Sequence, residues 1–99
     1  MLLIIPTITG IKANFNSLET VTLDRDTGVI SIKFVNRSLR ATSYIWDFGD
    51  GTDSKDDNPE HEYNKNGQYR ILLTAINGNR SDTYERVITV LLPPPHINN

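Results

Sequence analysis

The stretch Tyr44-Ile45-Trp46-Asp47-Phe48, followed at once by Gly49-Asp50-Gly51, constrains the fold more than any other part of the sequence. In an extended strand successive side chains point to opposite faces, so Tyr44, Trp46 and Phe48 share one face while Ile45 and Asp47 share the other. Three neighbouring aromatics fill the middle of a small core without covalent help, with Trp46 as its centre. The two glycines tolerate positive φ, and the carboxylate of Asp50 between them accepts nearby backbone N–H groups; together they end the strand in a tight turn.

The rest of the chain shows the same period. No run of ten residues keeps a 3.6-residue apolar repeat, whereas apolar and polar residues alternate between turn signals. Ile11, Ala13 and Phe15 alternate with Lys12, Asn14 and Asn16. Val21 and Leu23 lead into Asp24-Arg25-Asp26-Thr27-Gly28, which is expected to close a hairpin with Val29 to Val35 and set Ile30, Ile32 and Phe34 on one face. Further strands are expected at Ser43 to Phe48, near His61 to Tyr63, from Tyr69 to Ile76 and from Tyr84 to Leu91. About seven strands at this spacing predict an all-β, two-sheet sandwich over residues 11–91. Residues 1–10 form an arm or first strand. Pro93-Pro94-Pro95 stops ladder pairing and leaves 92–99 as a tail or linker.

Composition narrows the function. A chain of 99 residues has room for one core, and 37% hydrophobic with 22% charged residues is globular rather than disordered. The formal charge of −2 with no basic cluster leaves no field for phosphates, which excludes nucleic acid as a partner class. The absence of cysteine removes disulfides, thiolate nucleophiles and thiolate metal sites. The apolar opening Met1-Leu2-Leu3-Ile4-Ile5 is cut off by Pro6, far short of the ~18 residues that span a bilayer, so no membrane insertion is expected.

A second turn signal lies at Asn66-Gly67-Gln68-Tyr69, a glycine two residues before a strand-opening tyrosine. That is the spacing of the tyrosine corner of immunoglobulin-like sandwiches, with Ile71 where antibody domains place a cysteine. Taken together, Trp46-Asp47-Phe48-Gly49-Asp50-Gly51, then Asn58-Pro59-Glu60-His61-Glu62-Tyr63 and Gly67-Gln68-Tyr69, resemble the PKD domain family over about Ile11 to Val90. The resemblance implies a seven-stranded immunoglobulin-like sandwich of extracellular and cell-surface proteins. Such a domain serves as a spacer or contacts proteins or polysaccharides, and in secreted proteases and chitinases it accompanies catalytic residues that belong to another domain. It also implies a structural role for His61, a hydrogen bond beside the tryptophan strand. Some bacterial relatives bind calcium through an Asp-x-Asp-Gly segment before that strand; here the place is Asn36-Arg37-Ser38-Leu39-Arg40-Ala41, which carries two cations instead.

No catalytic or metal site is expected. Asp47, Asp50, Asp53, Asp56 and Asp57 read as turn chemistry and a solvated loop, with nothing apolar to raise a carboxylate pKa. Asp24 to Gly28 opens like a calcium loop, but the position of the bidentate glutamate holds Val35. The second histidine, His96, is in the tail, and one imidazole builds no histidine metal site. There is no Gly-x-Ser-x-Gly elbow and no phosphate loop. Asn36-Arg37-Ser38 and Asn79-Arg80-Ser81 satisfy the glycosylation sequon. If Trp46 and Ile71 face inward, Ile45, Leu72 and Ile76 face outward on adjacent strands as a docking strip, unless the N-terminal arm covers them. The expected function is thus a cofactor-free interaction or spacer module that contacts protein or polysaccharide in a larger extracellular or surface assembly. Two other settings fit the same fold: a protein that decorates a virus particle, and a calcium- or polysaccharide-binding accessory domain of a secreted enzyme.

Overall fold

The computed structural model describes residues 10–95. Residues 1–9 of the expected arm and His96 in the tail lie outside the described residues. Strands are β1 (Phe15–Asn16), β2 (Thr20–Thr22), β3 (Ile30–Lys33), β4 (Val35–Asn36), β5 (Ser43–Asp47), β6 (Asp53–Ser54), β7 (Glu60–Tyr63), β8 (Gly67–Asn77) and β9 (Arg80–Leu91). Among the described residues there is no helix.

One layer is a sheet in the order β2-β9-β8-β5-β6. Its spine is the long antiparallel hairpin of β8 and β9, in register from Gly67 opposite Val90 to Asn77 opposite Arg80. Gly78 opens the turn with φ +63, the conformation a two-residue hairpin of this hand needs at its first central position. The other layer is built around β3 and β4, consecutive pieces of one strand interrupted at Phe34. β3 pairs with β7, and β4 pairs with β1 on the opposite side. Phe34 N–H reaches Pro59 O at 2.9 Å toward β7, while Arg37 N–H reaches Asn14 O at 2.8 Å toward β1. The all-β sandwich is as expected; among the described residues the strands number nine because the irregular stretches also pair.

One expectation fails. The turn at Asp24 to Gly28 forms, with Asp24 Oδ1 accepting the N–H groups of Asp26 at 2.8 Å and Thr27 at 2.9 Å. It closes no hairpin, because β2 runs parallel to β9 in the first layer whereas β3 pairs with β7 in the second. Val21 and Leu23 on one arm and Ile32 and Phe34 on the other all join the core between the layers. Splitting the arms across the sandwich buries both apolar faces, which a flat hairpin would set side by side.

The core is the aromatic cluster of the central segment and what meets it from across the sandwich. Trp46 is fully buried, and its indole packs against Phe15 at 5.1 Å and Phe34 at 5.6 Å between centroids, both from the facing layer. Phe48, Ile71, Leu73, Ile88 and Val90 complete the same cluster, and Tyr44 packs on its margin. Trp46 Nε1–H donates to Asp56 O at 2.8 Å, so burial leaves no polar atom of the indole unpaired. Replacing Trp46 with alanine removes the largest buried side chain and a hydrogen bond; we expect a loss on the order of 3–5 kcal/mol, measured as a fall in the urea midpoint, against the ~5–15 kcal/mol of a typical domain.

Candidate functional site

Two places hold the residues singled out from the sequence: the exit of β5 with the facing end of β7, and the outer face of the five-stranded sheet.

At the exit of β5, Asp47 Oδ1 accepts Gly49 N–H at 2.9 Å and Asp50 Oδ1 accepts Thr52 N–H at 3.1 Å, so each aspartate ties down a backbone donor of the turn. Gly49 has φ +79, and a Cβ there would lie 2.7 Å from Arg70 O and 2.9 Å from Arg70 N on β8. Only glycine lets the turn pass this close to the neighbouring strand.

His61 on β7 clasps this turn from the other layer. Its ring stacks on Phe48 at 4.1 Å and 7°, and its Nε2 lies 2.7 Å from Asp50 Oδ2 and 3.2 Å from Thr52 Oγ1. Thr52 also gives its hydroxyl proton to Asp50 Oδ1. Burial opposes the charged form of Asp50, but the hydrogen bonds from the Thr52 hydroxyl, His61 and Thr52 N–H, with the charge of His61, outweigh it and hold the carboxyl below the usual carboxylate range. Beneath the clasp Tyr63 donates its hydroxyl to Phe48 O at 2.8 Å. Burial first, and then the negative charges of Asp50 and Asp47 among its neighbours, push the Tyr63 phenol far above its ordinary value, so it stays a donor. On β8, Tyr69 closes the corner by donating to Lys65 O at 2.7 Å, and its ring meets Tyr63 at 4.4 Å.

Thr52, His61 and Asp50 invite comparison with a hydroxyl, imidazole and carboxylate triad. The chemistry is different. A catalytic imidazole takes the nucleophile's proton on one nitrogen while the carboxylate holds the other. Here hydroxyl and carboxylate share Nε2, and the hydroxyl is itself bonded to the carboxylate, so no basic nitrogen faces it. The set is a structural clasp between the two layers. Gly51 lies in the same turn, exposed. Sequence reading placed His61 beside the tryptophan strand but gave no signal for Thr52, whose part depends on a contact across the sandwich.

The remaining acidic residues do not converge. Among the described residues no three histidine or carboxylate groups are placed to hold a metal ion. Where the resemblance put a calcium segment, Arg40 Nε donates to Gly10 O and Leu39 exchanges backbone hydrogen bonds with Lys12. Of the two sequons, Asn36 has both ends of its amide engaged, with Ser38 N–H and with Asp57 O, while Asn79 is exposed at the tip of the β8 to β9 hairpin.

On the outer face of the five-stranded sheet, Ile45 is 40% exposed, and Leu72 and Ile76 are half-buried. Ile45 opposes Thr74, which puts Leu72 and Ile76 at its two diagonals. Val87, 47% exposed and diagonal to Leu72, extends the patch across β9; it was not singled out from the sequence because its pairing with Arg70 is set by the hairpin register. Thr20, Thr22, Gln68, Thr74, Thr83, Thr89, the exposed Leu91 and the ion pair of Arg70 with Glu85 share this face. Every described aromatic ring belongs to or packs against the core on the inner side.

With this geometry in hand, comparison with known proteins is specific. Residues 6–91 match the family model described as PKD domain. Collagenase ColA of Bacillus cereus is 38% identical over 56 residues, which cover 56% of this chain and 6% of the collagenase. The crystal structure of the PKD1 domain of Vibrio anguillarum Epp is similar with a TM-score of 0.68 and 29% identity, covering 86% of this chain and 98% of that one. That of the PKD1 domain from the Vibrio cholerae metalloprotease PrtV gives 0.68 and 30%, covering 83% and 98%. The chain therefore matches nearly all of these isolated domains and a small fraction of the collagenase.

The turn and its clasp yield two expectations. Gly49→Ala meets both the disfavoured φ and the Arg70 backbone, so a loss of roughly 1–3 kcal/mol or more in chemical denaturation is expected. For pH, the folded state lowers the Asp50 carboxyl below its ordinary 3.8. The unfolded chain then takes up that proton first as pH falls, so the contribution of the clasp is full above roughly pH 5 and is lost as pH drops through the lowered value. Asp24, lowered by the N–H groups of Thr27 and Asp26, acts in the same direction. Between pH 7 and pH 3 the urea midpoint should fall less in Asp50→Asn than in the wild type, with a residual slope left by Asp24.

Proposed function

The chain belongs to the PKD domain family, and from that premise we propose that it is a non-catalytic accessory module that contacts a protein partner in an extracellular or cell-surface assembly. The observation that carries this reading is the division of side chains between the two sides of the larger sheet. Aromatic rings are spent on the core, and the outer face offers the aliphatics Ile45, Leu72, Ile76 and Val87 among threonines. A sugar-binding face stacks rings on its ligand, and no described aromatic is turned outward for that purpose. Aliphatic and hydroxyl groups on a sheet face suit a protein surface. The small share of the collagenase covered by the match supports the accessory role, since the catalytic apparatus of such an enzyme has ample chain elsewhere. A virus-particle setting draws no support from the relatives described above, which are domains of a collagenase and a metalloprotease.

The test is retention of the domain on insoluble collagen, the protein that the relative's name specifies, and on chitin and cellulose. Retention on collagen but on neither polysaccharide is expected, with Ile45→Ser and Val87→Ser each weakening it roughly 3- to 30-fold, a 0.7–2 kcal/mol effect of the size of a peripheral apolar contact. Both positions are at the surface, so the unfolding free energy from urea melts should hold to within ~0.5 kcal/mol. Retention on polysaccharide alone, or peptide hydrolysis by the isolated domain, would overturn the reading.

A further inference from the structure

The outer face of the smaller layer changes character at Phe34, where the strand formed by β3 and β4 exchanges one neighbour for another. Before that point Ser31 and Lys33 lie opposite Glu62 and Glu60 of β7, and the Ser31 hydroxyl donates to Glu60 Oε1 at 2.8 Å. Beyond it Val35 lies opposite Asn16 and Leu39 opposite Lys12, while Arg37 N–H reaches Asn14 O between them. Residues paired across an antiparallel ladder share a face, and so do alternate residues of one strand. Ala13, Phe15 and Phe34 are buried inward, so Val35, Arg37, Leu39 and Lys12 stand together on the outside. Arg40 Nε donates to Gly10 O at 2.6 Å, which brings a third cation beside the segment that carries Lys12.

This half of the face is cationic and partly apolar. Lys12, Arg37 and Arg40 are exposed, as are Val35 (41%) and Leu39 (50%). Neither residues 10–16 nor residues 35–43 contain a carboxylate, and residues 1–9 carry no charged side chain. Asp82 approaches from the other layer, where its Oδ2 accepts Ala13 N–H. In a chain with a formal charge of −2, these three cations are a local reversal of sign. The sequence shows no basic run, because Lys12 and Arg37 meet only through the register that joins their two segments. From Val35 through Arg37 to Leu39 the outward order is aliphatic, cation, aliphatic, over ~13 Å at the rise of a strand. We propose that this half of the smaller layer is a docking surface for an acidic segment of a protein partner, one that in extended form sets carboxylates between aliphatic side chains. Opposite charge steers such a segment to the face, and burial of Val35 and Leu39 holds it there. An anionic polysaccharide satisfies the cations but leaves both aliphatics uncovered, so the peptide is the better match.

The probe is a soluble peptide repeating Val-Thr-Glu-Thr, whose alternate positions put valine and glutamate on one side of an extended chain. Added at low salt to the isotope-labelled full chain, it should shift the amides of residues 12–16 and 35–40 and leave those of Ile45, Leu72 and Val87 in place. Raising the ionic strength from about 0.02 M to about 0.15 M should weaken binding roughly 3- to 10-fold, because exposed charges are screened at the higher value. Lys12→Gln with Arg37→Gln should weaken it at least ~10-fold and Val35→Ser ~3-fold, with the urea midpoints unchanged because all three positions are at the surface. Heparin should bind more weakly than the peptide. Three results overturn the proposal: peptide shifts absent from residues 12–16 and 35–40, binding indifferent to Lys12→Gln with Arg37→Gln, or heparin bound in place of the peptide. Should a variant fold poorly, the amide map of the unaltered chain decides alone.

Discussion

The burial of one indole organises this sandwich. Trp46 comes from β5 of the larger sheet, yet the rings that enclose it, Phe15 and Phe34, come from the other layer, and its N–H is answered by a carbonyl of the loop beyond β6. The spacing of the layers, the position of β1 and the path of the loop all refer to that side chain. A domain without disulfides needs such a centre, because nothing else sets how its two sheets face each other.

The turn after Phe48 is the second constraint, and it depends on the first. With Trp46 and Phe48 turned inward, the chain must leave the sheet against the backbone of Arg70, where only glycine fits. Asp47 and Asp50 then satisfy the donors that the turn exposes, and His61 joins Asp50 to the opposite layer while its ring covers Phe48. Asp47 and Asp50, two of the acidic residues that look like catalytic or calcium chemistry in the sequence, are thereby occupied in holding backbone and layers together. The outer surface of the larger sheet takes no part in this packing and carries Ile45, Leu72, Ile76 and Val87.

Much of the architecture was legible because period-2 alternation and turn glycines are local properties. The inward set Tyr44, Trp46 and Phe48, the strands that became β5, β8 and β9, and the tyrosine-bearing corner before β8 all follow from neighbours within a few residues. The segment from Asp24 to Gly28 shows where local reasoning stops. Its turn is encoded by Asp24 and Gly28, but whether the flanking strands pair with each other or with β9 and β7 depends on which arrangement buries Leu23 and Phe34, a question about distant parts of the chain. The clasp is divided in the same way: His61 and Asp50 stand out in the motif, while Thr52 became part of it only when the two layers met.

The sequence by itself determined that the chain is a β-sandwich with an aromatic centre, that its turn after Phe48 requires glycine, and that it has no thiol chemistry and no run of basic residues, because these depend on residue type and short-range spacing. Tertiary structure alone decided that β2 lies parallel to β9, that Val87 joins Ile45 and Leu72 on one surface, and that a histidine, a threonine and an aspartate form a clasp in place of a triad. Those outcomes turn on which groups approach across tens of residues and through which nitrogen they meet, and long-range burial selects that geometry after local preferences have been satisfied.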